Sequence, residues 1–178
     1  TVTARRVAEQ RLEVPLSIAV VTDDGAEHGS DSLQNLVGRV PGFYYEAIWG
    51  GLASAPTIRG QQPSPSGDPN VAVFVDGLYQ ANPVTIDAAP IDVARIEVAR
   101  GPQGALFGRS TFAGALHFVP NAPTATPESG ATADLGSEAL RAATAYTSGP
   151  IFGGRLLGRV AAGWRTWDGG FDNSAAPG

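Results

Sequence analysis

The sequence predicts an α+β fold in which a small mixed β-sheet with short helices is followed by about three antiparallel strands. Three observations carry this expectation. Between residues 16 and 120, apolar runs of five to eight residues recur between Gly, Pro and Asp, a length that suits strands rather than helices. One segment, Leu33 to Val40, instead places its apolar residues at helical spacing. After Ser129 the texture changes to longer runs in which apolar and polar residues alternate, the period of an extended strand.

Composition narrows the function classes. A chain of 178 residues holds one ordinary domain and an appendage. Its 23 Gly and 14 Pro fit many turns and short strands. With no Cys, disulfides, thiol nucleophiles and thiolate metal sites are excluded. All 12 basic residues are Arg, they are not clustered, and the net charge is -5, which argues against a nucleic-acid surface. No apolar run reaches the roughly 18 residues of a membrane-spanning helix. The sequence starts at Thr1 without a charged, apolar and small-residue leader, so a leader is expected to have been removed or to lie outside it.

The elements follow in order. Leu16 to Thr22 is a β-branched run stopped by Asp23, Asp24 and Gly25, hence a short buried strand. Leu33, Leu36, Val37 and Val40 mark a helix with Ser30 or Asp31 as N-cap, ended by Pro41 and Gly42. Phe43 to Ile48 and Pro56 to Arg59 are candidate strands, and Gln61 to Asn70, with three Pro, is an exposed loop. Val71 to Val75, apolar throughout, predicts a central strand turned by Asp76 and Gly77. In Ile91 to Val98, Ile96 and Val98 alternate with Arg95 and Glu97, so a half-buried strand is expected, ending at Gly101 and Pro102. Gln103 to Phe107 allows at most one helical turn, Ala115 to Val119 returns as a strand, and Asn121 to Glu128 is a linker.

Beyond the linker, Ala131, Ala133 and Leu135 alternate with Thr132 and Asp134, and Leu140 to Ser148 alternates more weakly. In Arg155 to Trp167 the arginines 155, 159 and 165 take odd positions, while Leu156, Val160, Ala162 and Trp164 take even ones. Strands of this kind fit a transmembrane β-barrel with charge toward the lumen. A soluble sandwich edge would show the same alternation.

Candidate chemistry is sparse. Gly101, Gly104 and Gly108 fit neither a P-loop, which needs four residues between its glycines and then Lys-Ser/Thr, nor a dinucleotide fingerprint. His28 and His117 are far apart and lack spaced co-ligands, so no metal site or triad is expected, and His117 reads as an ordinary strand residue. Ser64 and Ser66 lie in a Pro-rich loop, and Asp23, Asp24, Asp87 and Asp92 in turn or cap positions. Neither enzymatic activity nor a cofactor is expected. Arg59 and Arg100 each end a strand beside a glycine, where a guanidinium is either simply solvated or poised to grip a carboxylate. Thr1 to Arg6, short and β-branched, has extended character.

Four segments in order, TVTARR (Thr1 to Arg6), LQNLVGRVPG (Leu33 to Gly42) with TIRG (Thr57 to Gly60), VAVFVDGLY (Val71 to Tyr79) and RIEVARGPQGALFGRSTFAGALHFVPN (Arg95 to Asn121), together resemble the plug domain of TonB-dependent outer-membrane receptors. Departures are few. Phe112 and Ala113 stand where that family more often has an aliphatic residue and Gly, and the acidic start of the usual TonB box is absent.

The resemblance implies a TonB-box-like segment at 1–12, a plug domain at 13–123 and the start of an incomplete transmembrane β-barrel at 124–178. It implies ligand-gated, TonB-energised import across the cell outer membrane, of ferric siderophore, cobalamin or carbohydrate ligands. Thr1, Val2, Thr3 and Ala4 would add as a strand to TonB, and Arg59 and Arg100 would lock the plug onto barrel glutamates absent from these residues. Tyr45, Trp49, Gln61, Gln62 and Tyr79 would face the small-molecule ligand, with the remaining barrel and membrane lipid as further partners and no nucleic acid. The rival readings are a soluble periplasmic binding or interaction module and a truncated, non-transporting product.

Overall fold

A computed structural model of the chain describes residues 17–22, 36–48, 53–61, 69–80, 91–108, 110–137 and 139–166. The chain divides into two compact units, Thr1–Asn121 and Ala122–Gly178. The expected N-cap at Ser30 or Asp31 and most of the loop from Gln61 to Asn70 lie outside the described residues.

The first unit runs β1 (Ser17–Thr22), α1 (Leu36–Arg39), β2 (Phe43–Ile48), β3 (Ala53–Ile58), β4 (Val71–Val75), β5 (Leu78–Tyr79), β6 (Val93–Arg100), α2 (Gly104–Phe107) and β7 (Gly114–Pro120). Its main sheet has the order β1-β6-β7-β4-β5, with β4 and β7 parallel and the other neighbours antiparallel. The expected mixed sheet is thus present. Strand β7 takes its centre, and β4 is an interior, buried strand as expected, with β7 on one side and β5 on the other. β4 is flanked on its far side by the two-residue β5, which Asp76 and Gly77 turn back with left-handed φ values of 48° and 76°, the primed hairpin geometry.

Both faces of this sheet are covered. On one, Val71, Val73, Val98, Leu116 and Phe118 pack with Leu36, Val40, Phe43 and Ile58 from α1 and the β2–β3 ladder. On the other, Ile18, Ala72, Phe74, Ala99 and Ala115 pack together, with Phe107 of α2 against them. This corrects the half-buried reading of β6. Glu97, Val98 and Ala99 are successive residues and all fully buried, because β6 lies between β1 and β7 with cover above and below. Strand β3 also begins earlier than expected. Its register with β2 runs to Ile48↔Ala53, and Pro56 is accommodated opposite Tyr45.

The second unit is an open meander: β8 (Glu128–Leu135), β9 (Arg141–Ile151), a 3-10 turn (Phe152–Gly154) and β10 (Leu156–Thr166), in the order β10-β9-β8 and antiparallel throughout. The register sorts its side chains cleanly. One face carries Ala131, Ala133 and Leu135 of β8, Ala143 and Ala145 of β9, and Val160, Ala162 and Trp164 of β10. The other carries Glu128, Thr132, Asp134, Thr144, Tyr146, Arg159 and Arg165. On the apolar face Leu135 is 86% exposed, Val160 69% and Trp164 57%, far from what water tolerates in a finished soluble fold. Leu140 instead lies in the β8–β9 turn against Gly136. No helix among the described residues is long and apolar enough to cross a membrane, which leaves crossing by strands untouched.

Close approach at the centre of the first unit yields a prediction. A Cβ on Gly114 would stand 2.3 Å from the Ala99 carbonyl oxygen and 2.7 Å from Ile58 Cδ1, so Gly114→Ala forces β6 and β7 apart. It is expected to lower stability by about 3 kcal/mol, the upper range for overpacking. Gly104→Ala, with nothing within 4 Å, is expected to be tolerated. Urea unfolding of the two variants in detergent micelles checks the contrast.

Candidate functional site

The two strand-end arginines are drawn to one turn region. After β3, Arg59 (φ 55°) and Gly60 (φ 73°) form a left-handed two-residue turn closed by the Gln61 N–H donating to the Ile58 carbonyl at 3.2 Å. The Arg59 N–H donates to the Gly42 carbonyl at 2.8 Å, anchoring the turn to the start of β2. Its guanidinium reaches over Gly101, where Nη1 is 3.6 Å from the place a Cβ would occupy. Arg100, the last residue of β6, donates from Nη1 to the Pro41 carbonyl at 3.3 Å, and its Nε is buried without a hydrogen-bond partner. Arg59 and Arg100 therefore converge on Pro41–Gly42 and Gly101. Among the described residues no carboxylate forms an ion pair with either. Such a pair of fixed cations favours an anionic partner with a planar, bidentate face.

The glycine-rich loop beside them keeps its amides for itself. The Gly101 N–H donates to Ala113 O, Gln103 N–H to Thr111 O, and Gly108 N–H to Gly104 O, at 2.8 to 2.9 Å, and the Thr111 hydroxyl donates to Gly108 O at 2.8 Å. These bonds brace α2 against the sheet and leave little of a phosphate cradle. The Ala113 N–H in turn donates to Asn70 O at 2.9 Å, tying the loop to the start of β4.

A charged group that the sequence pattern assigned to a solvated face is internal. Glu97 is fully buried, and its Oε1 accepts from Arg95 Nε at 2.8 Å. Directly across the ladder is His117, which sits at an ordinary strand position of β7, as expected, where it is buried and stacks on Phe74 at 4.7 Å and 10°. Phe107 closes the cluster, 4.8 Å from Phe74 and 5.0 Å from His117. The alternation Arg95, Glu97, Ala99 gave no warning, because a strand covered on both sides need not place its polar residues in water.

Of the residues expected to face a ligand, Tyr45, Gln61 and Tyr79 are described, and the two tyrosines do not share a face of the main sheet. Tyr45 packs against the Leu36 cluster on one side of the main sheet, whereas Tyr79 is 5.7 Å from Phe74 on the other. Gln61 is exposed just after the Arg59–Gly60 turn. Trp49, Gln62 and Thr1 to Ala4 lie outside the described residues.

In the second unit the polar face carries its own row. Tyr146 donates its hydroxyl to Glu128 Oε1 at 2.7 Å, and Arg159 lies over the ring, its Cζ 4.1 Å from the centroid. Gly130 permits this, since a Cβ there would stand 2.7 Å from Tyr146 Cε1. Thr132 and Thr144 hydroxyls pair across the same two strands.

Residues 10–115 match the model of the TonB-dependent receptor plug domain, and the chain belongs to that family, placing it in the cell outer membrane. It is 32% identical over 153 residues to the pesticin receptor of Yersinia pestis, covering 85% of this chain and 22% of that protein. It is 28% identical over 177 residues to the vitamin B12 transporter BtuB of Vibrio vulnificus, covering 96% and 28%. The crystal structure of the ferric yersiniabactin uptake receptor FyuA from Yersinia pestis superposes with a TM-score of 0.70 at 29% identity, covering 83% of this chain and 24% of that one. The chain thus spans about a quarter of the length of these relatives, which are receptors and transporters rather than enzymes.

The buried pair makes a second prediction. Arg95→Ala removes a partner from a carboxylate that water cannot reach, and is expected to lower stability by about 3 kcal/mol. Exchanging both Arg95 and Glu97 for Leu is expected to recover most of that loss. Urea midpoints of the single and double variants decide it, and equal losses in both would show that the pair itself stabilises.

Proposed function

We propose that this chain is the plug-bearing part of a TonB-dependent receptor that imports a small ligand across the outer membrane. The observation that carries the proposal is a plug-family match over residues 10–115, which takes in β1 to β6 and the start of β7, with two arginines at one turn region that have no acidic partner among the described residues. The sheet obstructs a barrel lumen, and Arg59 and Arg100 hold it by pairing with carboxylates of the remaining barrel. The named ligands of the relatives, ferric yersiniabactin and vitamin B12, favour a ferric siderophore or a cobalamin over a carbohydrate. Trp49, Gln61 and Gln62 are proposed to meet the ligand with Tyr45, whose ring packs on the core, and Tyr79, whose ring meets Phe74.

Energy enters through Thr1 to Ala4, which add as a strand to an edge of TonB by backbone hydrogen bonds. The strands from Glu128 to Thr166 begin the wall, Leu135, Val160 and Trp164 toward lipid and Glu128, Tyr146 and Arg159 toward the lumen.

Three measurements test this reading. Single Cys residues at Val2 and Ala4 of the full-length receptor are expected to crosslink to TonB in cells, and an absence of crosslinks removes the energising role of this segment. Arg59→Ala with Arg100→Ala is expected to loosen the plug and raise entry of bulky antibiotics. Unchanged permeability would dismiss the lock. Finally, the 178-residue chain is expected to sediment without detergent while a chain ending at Pro123 stays in solution. A monomeric, detergent-free 178-residue chain would favour the soluble-module reading.

A further inference from the structure

The apolar face of the second unit carries one charge. Register places Arg141 on the same side as Leu135, its partner on β8, and Thr166, its partner on β10, with Trp164 one row inward. Every other charged residue described in β8, β9 and β10, namely Glu128, Asp134, Arg159 and Arg165, projects from the opposite face. Arg141 is exposed, and among the described residues it forms no ion pair and no side-chain hydrogen bond.

Position explains how a charge is tolerated there. Arginine on the lipid side of a barrel is strongly unfavourable at the bilayer midplane and nearly neutral at the interface. From Arg141 to Ile151 the strand β9 advances ten residues, or ~34 Å at ~3.4 Å each. A tilt of ~40° leaves ~26 Å along the membrane normal, about the height of a barrel's apolar band. Arg141 and Ile151 therefore stand at its two rims. Aromatic residues mark the same levels, Trp164 near Arg141 and the exposed Phe152 beside Ile151.

We propose that Arg141, flanked by Leu135 and Trp164, is a binding site for the phosphate of an anionic lipid headgroup. The planar guanidinium fork matches phosphate bidentately. The neighbouring Leu135 and Trp164 side chains lie against the acyl chains just below. The site rests on the reading of β8 to β10 as membrane-facing strands.

The test is flotation of the 178-residue chain with phosphatidylcholine vesicles, with and without added phosphatidylglycerol. Wild type is expected to prefer the anionic vesicles. Arg141→Gln is expected to weaken that preference about fivefold, and Arg141→Lys, which keeps the charge but lacks the planar fork, to retain only part of it. Arg165→Gln, which removes the same charge one position away in register on the opposite face, is expected to match wild type. An Arg141→Gln chain that behaves as wild type, a Lys variant as strong as wild type, or an equal loss in Arg165→Gln overturns the site. Loss of the preference on adding inorganic phosphate at matched ionic strength would mean that the site takes free phosphate, not lipid. A chain that floats with neither vesicle overturns the membrane reading along with the site, whereas equal binding to both overturns the site alone.

Discussion

Everything in the first unit depends on how tightly β6 and β7 are paired. Val98, Ala99, Ala115 and Leu116 are fully buried, and Gly114 lets the Ala99 carbonyl come closer than any side chain would permit. With these two strands in contact, β1 extends the sheet on one side and β4 with β5 on the other. The same contact excludes water from Glu97 and so makes an internal ion pair obligatory, since an isolated buried carboxylate would be strongly unfavourable. The clasp at the end of the pair is polar: Asn121 Nδ2 donates to Asp92 Oδ1 at 2.8 Å, just where the first unit finishes.

The turn region that gathers Arg59 and Arg100 is a by-product of this arrangement. Arg100 arrives as the last residue of β6, and Arg59 as the first residue after β3, whose Ile58 is buried in the same core. Neither cation needs a long-range device to find the other. Packing of hydrophobic strands delivers both to Pro41–Gly42 and Gly101.

How much could be read in advance differs between elements. Val71–Val75 was legible because a continuous apolar run leaves a strand little choice but to be covered twice, and Ala115–Val119 because only His117 interrupts such a run. The second unit was legible for the opposite reason: strict alternation assigns each residue to a face, and the register shows Arg159 and Arg165 on one side and Val160 and Trp164 on the other. Misreading arose where alternation and double burial coincide. Arg95–Glu97 imitates a solvated edge, and only knowledge of β1 and α2 on its flanks reveals the cover. The candidate ligand residues were chosen by chemistry and loop position, and one sequence holds no information about the sheet that separates Tyr45 from Tyr79. The prominence of Arg59 and Arg100 was visible, but their convergence was not, because it arises from residues 41 apart in sequence meeting through third parties.

The left-handed backbone of Arg59 has an evolutionary consequence. An L-residue with a side chain at φ 55° is less favourable than Gly by about 1 kcal/mol. Random drift at such a position runs toward Gly or Asn, which relax the turn without touching the core. A lineage that keeps Arg there sustains a small, permanent folding handicap. Where no guanidinium is needed at this turn, Arg59 should therefore give way to Gly or Asn well before the apolar strands beneath it begin to change.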